Sequence, residues 1–328
     1  MEVLREIQKL SDEEVEEYCK ERIQLLEDYY GKYRDRSLGY DIDYNSPILY
    51  LKESDYTTLE SKCFYGGYIP LGTKIIFGFV WNGSNYTNAG LYYYLDDASY
   101  ILEFVKFVRE KEINNEYELF DCIFDFLNHY FDLTEIKKKD YIDRDNMCKL
   151  ISKTSTSYYA PVKEHSIKMF KGKGNALCTE KSIIAQNILS FLNFESYVVI
   201  GLVDNDGKGG SEHAFNLITY IDSTTGERLN SLIDFSLCIN RIDINHRITR
   251  QEPYMIDLDS LDDNYAKEFL SGNSKIEGEK YGFLDLEKLS LYLRGDSIIK
   301  YYIEDNDPKK EIAKVFKKMR GEADGNNR

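Results

Sequence analysis

A thiol, an imidazole and a carboxylate occur in that order between residues 178 and 234. Cys178 opens the stretch CTEKSIIAQNILSFLNF, in which Ile184, Ile188 and Leu192 fall on one helical face. His213 opens HAFNLITYI, which alternates as a strand does, and Asp234 lies near the end of NSLIDFS, a further strand segment. A cysteine attacks only as thiolate, and a helix N-terminus with an adjacent imidazolium lowers its pKa towards that state. A third group must hold the imidazole in the right tautomer and orientation, and Asp234 on the adjoining strand is the natural candidate. Adjacent antiparallel strands bring residues distant in sequence within side-chain reach, so the separation of His213 from Asp234 is no obstacle. The chemistry these residues point to is nucleophilic acyl transfer, with the Cys178 backbone N–H among the oxyanion donors and a second donor from upstream.

The elements around these residues are those such a site needs. Between cysteine and histidine lies SYVVIGLVD, a short apolar run of strand type, followed by the glycine-rich loop NDGKGGSE. The turn DSTTGER connects the histidine strand to the aspartate strand. Upstream, residues 98–111 and 117–131 show helical periodicity. Ser11 and Glu14 form a capping box with Leu10 and Val15 as its hydrophobic staple, so a helix is expected over about 12–34. From Pro47 to Leu95, segments such as SPILYLKE, TKIIFGFVWNGS and AGLYYYLDD read as strands and turns. Two more helices are expected near 285–295 and 308–320, before the tail GEADGNNR, which has nothing to bury.

At ALCTEKSIIAQ, VVIGLV with Gly201, His213-Ala214-Phe215-Asn216 and Ile233-Asp234-Phe235-Ser236, the chain resembles the transglutaminase-like superfamily of cysteine enzymes. The resemblance covers about 96–260. It implies an α+β fold with a transglutaminase-like (papain-like) core, in which the nucleophile helix packs on an antiparallel sheet. Residues 1–95 would then form an N-terminal helix and strand-rich α/β extension, and residues 261–328 a helical C-terminal segment. By the same resemblance Cys178 is the nucleophile, His213 the general base and acid, and Asp234 the orienting acid. Ala176 stands where many relatives have glycine, which here appears at Gly174. For the upstream oxyanion donor Trp81, Asn175 and Tyr159 are the candidates.

Other readings of single residues are structural. Cys19, Cys63, Cys122, Cys148 and Cys238 lack such partners and read as core or surface thiols. His129 ends an amphipathic helix, and His165 is a rival base only by proximity, since VKEHSIKMFKGKG reads as ordinary strand and loop. His246 lies outside the motif. The loop around Asp204, Asp206 and Glu212 lacks the ligand positions of an EF-hand and reads as a hairpin connection beside the site. Lys163, Lys168, Lys171 and Lys173 could meet an acidic substrate, but a solvated charged face is the commoner arrangement. KGKGN at 171–175 lacks the ending of a phosphate loop.

Composition bounds the remaining classes. The 328 residues carry 57 acids against 42 bases, a formal charge of −15, which argues against a nucleic-acid or anionic-membrane partner. No apolar run reaches the length of about 18 residues that a spanning helix needs. Six dispersed cysteines without a CxxC pair point to reduced thiols and to no structural zinc. The expectation is a cytoplasmic globular protein that uses no cofactor or metal. The function expected from the three residues and the resemblance is that of a thiol enzyme on peptide or protein amide bonds, as peptidase, transglutaminase or deamidase. The alternative is a catalytically inactive relative acting as a peptide- or protein-binding module.

Overall fold

A computed structural model describes residues 1–31, 64–76, 80–81, 86–87, 92–133, 161–162, 167–174, 176–204, 211–242, 248–259 and 280–283. In chain order the elements begin with α1 (Glu2–Ile7) and α2 (Asp12–Tyr30). Five short strands follow: β1 (Phe64–Gly66), β2 (Lys74–Ile76), β3 (Val80–Trp81), β4 (Tyr86–Thr87) and β5 (Tyr92–Tyr94). Then come α3 (Ser99–Val108), α4 (Glu116–Phe131), β6 (Pro161–Val162) and a 3-10 turn at Ile167–Phe170. Helix α5 (Cys178–Phe191) leads into β7 (Glu195–Asp204), β8 (Ser211–Ile221), β9 (Arg228–Ile242), β10 (Ile248–Asp257) and β11 (Lys280–Phe283). The chain is thus mixed α+β. Among the described residues no helix is long and apolar enough to cross a membrane.

Local chemistry explains where the first helices begin. Ser11 Oγ accepts the Glu14 N–H at 3.3 Å while Glu14 Oε2 accepts the Ser11 N–H at 2.7 Å, the reciprocal capping box read from the sequence. Val15, its staple residue, is fully buried. Asn115 caps α4 by accepting the Glu118 N–H at 2.9 Å. Helices α3 and α4 fall within the periodic stretches 98–111 and, to within a residue, 117–131. They pack through aromatic pairs such as Phe104 with Phe126, whose rings lie 5.4 Å apart, edge to face.

The large sheet is antiparallel throughout, in the order β1-β7-β8-β9-β10, with β11 also paired to β7. β1 covers the outer edge of β7 at Tyr197–Val199 and β11 covers the same edge at Gly201–Asp204, so two short strands cap one long one. Gly66 permits this approach, since a Cβ there would lie 2.2 Å from the Tyr197 ring. Two smaller sheets, β2-β5-β6 and β3-β4, draw strands β2 to β5 from the strand-rich region read between Pro47 and Leu95, and β6 joins from downstream, parallel to β5. The SPILYLKE segment and both C-terminal helical expectations lie outside the described residues.

Helix α5 is the centre of the core. It packs on β7, β8 and β9 from one side and meets α2, α3 and α4 on the other. Every residue from Glu180 to Phe191 is consequently buried. The sequence pattern marked only one apolar face, because the polar residues Ser182, Gln186, Asn187 and Ser190 interrupt the rest.

β9 is longer than the segment 230–236 expected from sequence, and β10 was not foreseen. Pro253 in RQEPYMID breaks the pattern of a strand. It is tolerated because β10 is the last strand on the sheet path and the register shifts at that point. Pro253 pairs with Cys238 but Tyr254 pairs with Asp234, so residues 235–237 of β9 bulge out directly after the aspartate.

Candidate active site

Cys178 is the first residue of α5, and it is half-buried. The approach to it is set by Gly174, whose φ of +66° turns the chain and whose N–H donates to the Phe131 carbonyl at 2.8 Å. The left-handed turn ahead of the helix therefore falls at Gly174, and Ala176 is buried instead. The residue preceding the helix, Leu177, is extended and supplies no side-chain cap. Only the acidic half of a capping box exists, with Glu180 Oε2 accepting the Leu177 N–H at 2.7 Å. No cap side chain at Leu177 covers the N–H groups of the first turn, and the positive end of the helix dipole falls at Cys178.

His213 sits on β8 opposite Gly201 of β7, with 8% of its surface exposed. Leu217 pairs with Leu232, so stepping by two residues along each strand brings His213 and Asp234 onto the same sheet face, diagonal to one another. His213 Nε2 lies 2.5 Å from Asp234 Oδ2, which closes the 21-residue separation. The other carboxylate oxygen, Oδ1, accepts the Ser236 N–H at 2.8 Å. That donor is available because the bulge after Asp234 turns the chain back towards its side chain. Asp234 is fully buried, with both oxygens engaged.

The ladder between β8 and β9 stops at Asn216 and Ile233, short of the row in which Ala214 would face Phe235. In that row the Ala214 backbone N–H hydrogen-bonds the Cys178 thiol, and His213 makes the second bond to the sulfur. With Nε2 held by Asp234, Nδ1 is the imidazole nitrogen that serves Cys178. The structure thus brings together all three residues singled out in the sequence.

The electrostatics run in one direction. Burial pushes the Cys178 thiol up, but the positive charge and hydrogen bond of His213 and the Ala214 N–H outweigh it, leaving the thiol more acidic than an ordinary one. Burial works against the charged form of His213 as well. The charges of Asp234 and Cys178 and the hydrogen bonds to both prevail, and the imidazole is held well above its ordinary value. A depressed thiol beside an elevated imidazole is a thiolate–imidazolium pair over the pH range between the two. Cys19 and Cys122 behave in the opposite way, each pushed by burial up to about 11.

The rival residues are placed elsewhere or lie outside the described side chains. His129 stacks on the Phe107 ring at 6.1 Å, a packing role at the end of α4. Lys168 pairs with Asp97 at 3.0 Å and Lys171 with Glu103 at 2.5 Å, so these two act as surface ion pairs. His165, His246, Asn175, Tyr159, Lys163, the Trp81 side chain and residues 205–210 lie outside the described set. Among the described residues no group of three or more His, Cys, Asp or Glu could hold a metal ion. Sequence reasoning missed the Ala214 N–H, which as a backbone group leaves no mark in the residue pattern. It also missed Glu180, for which the half capping box Leu177-Cys-Thr-Glu180 was the available signal. Comparison with family models, curated proteins and solved structures yielded no match to this chain.

Proposed function

We propose that this protein is a thiol enzyme acting on peptide or protein amide bonds through an acyl-enzyme at Cys178, as a peptidase, transglutaminase or deamidase with a transglutaminase-like core. The observation that carries the reading is the unbroken chain of contacts from the Cys178 thiol through His213 to the buried Asp234. The Cys178 thiolate attacks the amide carbonyl carbon, and the oxyanion forms near the Cys178 N–H at the open start of α5. The C–N bond then breaks as the His213 imidazolium passes its Nδ1 proton to the leaving amine or ammonia. Water or a second amine attacks the thioester, gives its proton to His213, and releases the thiolate. Water yields hydrolysis or deamidation, and an amine yields transamidation. No cofactor enters any step, and hydrolysis is the favoured outcome because water is always present. The free thiols of Cys19, Cys122 and Cys178 suit a reducing, cytoplasmic setting.

The test is to incubate wild-type protein and Cys178→Ala with a cell lysate and to search by mass spectrometry for new termini, deamidated glutamines and cross-links. Products that depend on Cys178 are expected, and their kind assigns the reaction. Identical products from both proteins would sink the nucleophile assignment. A wild-type thiol that alkylates no faster than in the unfolded chain would favour the binding-module reading.

A further inference from the structure

Thiol activation requires α5 and β8 to hold Cys178 and His213 in register, and apolar packing alone is a poor means of doing so. It is non-directional, so it sets the height and rotation of a buried helix less sharply than hydrogen bonds do. Directional bonds fix both, and away from the thiol itself Asn216 supplies two of them between these elements. Asn216 lies on β8 three residues beyond His213, and its Nδ2 donates to the Ser182 carbonyl at 3.1 Å and to Gln186 Oε1 at 3.2 Å. Ser182 follows Cys178 by about one helical turn. Gripping two acceptors on successive turns fixes both the height and the rotation of α5.

The orientation of these amides is dictated by the rest of the network. Gln186 Nε2 donates to the Gly67 and Ser196 carbonyls, each at 2.8 Å. Its nitrogen must therefore face the β1–β7 edge, and its oxygen must face Asn216. Asn216 in turn must present its nitrogen, leaving Oδ1 without a partner among the described residues. A fully buried amide that leaves one acceptor unmet is costly to retain for packing alone. We infer that Asn216 is a positioning residue, acting with Gln186 to hold the nucleophile helix in register with the histidine strand. The inference rests on the activated-thiol reading above.

The experiment measures iodoacetamide alkylation of Cys178, read on its own peptide by mass spectrometry, from about pH 5 to about pH 9 in the full-length protein. Wild type, Asn216→Ala and Gln186→Met are compared. The control is Thr219→Val, which removes a buried bond on the same strand, to Asn230 at 2.8 Å, away from the thiol. Both network variants are expected to move the acid limb of the profile upward. The rate at about pH 6 should fall about tenfold for each unit by which the limb rises above that pH, since thiolate is the reacting form. Thr219→Val should lose stability with its profile unmoved. Unchanged profiles in both network variants beside a fast wild type overturn the positioning role alone. So does failure of both to fold, because a purely structural role then suffices. A wild-type thiol no faster than the unfolded chain overturns the activated thiol itself.

Discussion

Helices α2 and α5 begin in opposite ways. At α2 the Ser11 hydroxyl and the Glu14 carboxylate close the helix start from both sides, in solvent, with bonds of 3.3 and 2.7 Å. At α5 the cap position is Leu177, and Glu180 supplies the acidic half alone. A start like that of α2 is self-sufficient, specified within four residues. The start of α5 has no side-chain cap at Leu177, and it is sustained by what surrounds the helix, since Glu180–Phe191 is buried throughout. The cysteines on the two helices diverge in step. Cys19 on α2 is pushed up to about 11 by burial, whereas Cys178 is drawn down by His213 and the Ala214 N–H against its own burial. Being on a helix does not activate a thiol. An open helix start facing an imidazolium does.

The largest effect that would break this contrast comes from Cys178→Ala. It is expected to abolish the fast alkylation predicted for wild type at acidic to neutral pH and to lower any amide-directed activity by on the order of 10³-fold or more. Cys19 and Cys122 should remain slow throughout, so a fast-reacting thiol surviving in the variant would contradict the assignment.

Next in size is His213→Ala. His213 is held above its ordinary value and Cys178 below its own, so the reactive ion pair spans the interval between them. Thiolate is lost as pH falls through the depressed Cys178 value, and the imidazolium is lost as pH rises through the elevated His213 value. Removing the imidazole should carry the acid limb towards that of a free thiol, near pH 8.5, and slow alkylation at about pH 6 by about tenfold or more. An acid limb that stays in place would show that the helix start alone suffices.

A smaller change is expected from Leu177→Ser, which gives α5 the cap it lacks. A hydroxyl at this position would accept first-turn N–H groups and compete for donors near the sulfur, slowing alkylation roughly threefold. A rate equal to wild type would mean those donors do not act on the thiol. The converse change, Ser11→Ala, removes the cap of α2. It should cost about 1 kcal/mol in urea unfolding and leave Cys178 reactivity untouched. Slowed alkylation in that variant would argue that the two helix starts are coupled.

Much of the site was legible in advance because its parts are local. The Ser11–Glu14 box, the periodicities behind α3 and α4, and the alternation of HAFNLITYI each lie within a few residues, where backbone period and side-chain polarity coincide. Cys178 opening a helix and His213 opening a strand segment belong to the same class. What was not legible depends on partners far away in the chain. Pro253 concealed β10, because only the position of that strand at the end of the sheet path makes a proline harmless there. Asn216 was visible within His-Ala-Phe-Asn but carried no role, since its acceptors, Ser182 and Gln186, lie some thirty residues upstream.

By itself the sequence determined the order of thiol, imidazole and carboxylate and the element that carries each, because helix and strand periods are written residue by residue. Only the tertiary structure decided that the three meet. The strand register carries His213 and Asp234 to one face, and the bulge after Asp234 supplies the N–H that holds its carboxylate. The end of the β8–β9 ladder leaves the Ala214 N–H to the sulfur. Register, bulges and ladder ends are set by long-range pairing and packing, and no local pattern encodes them.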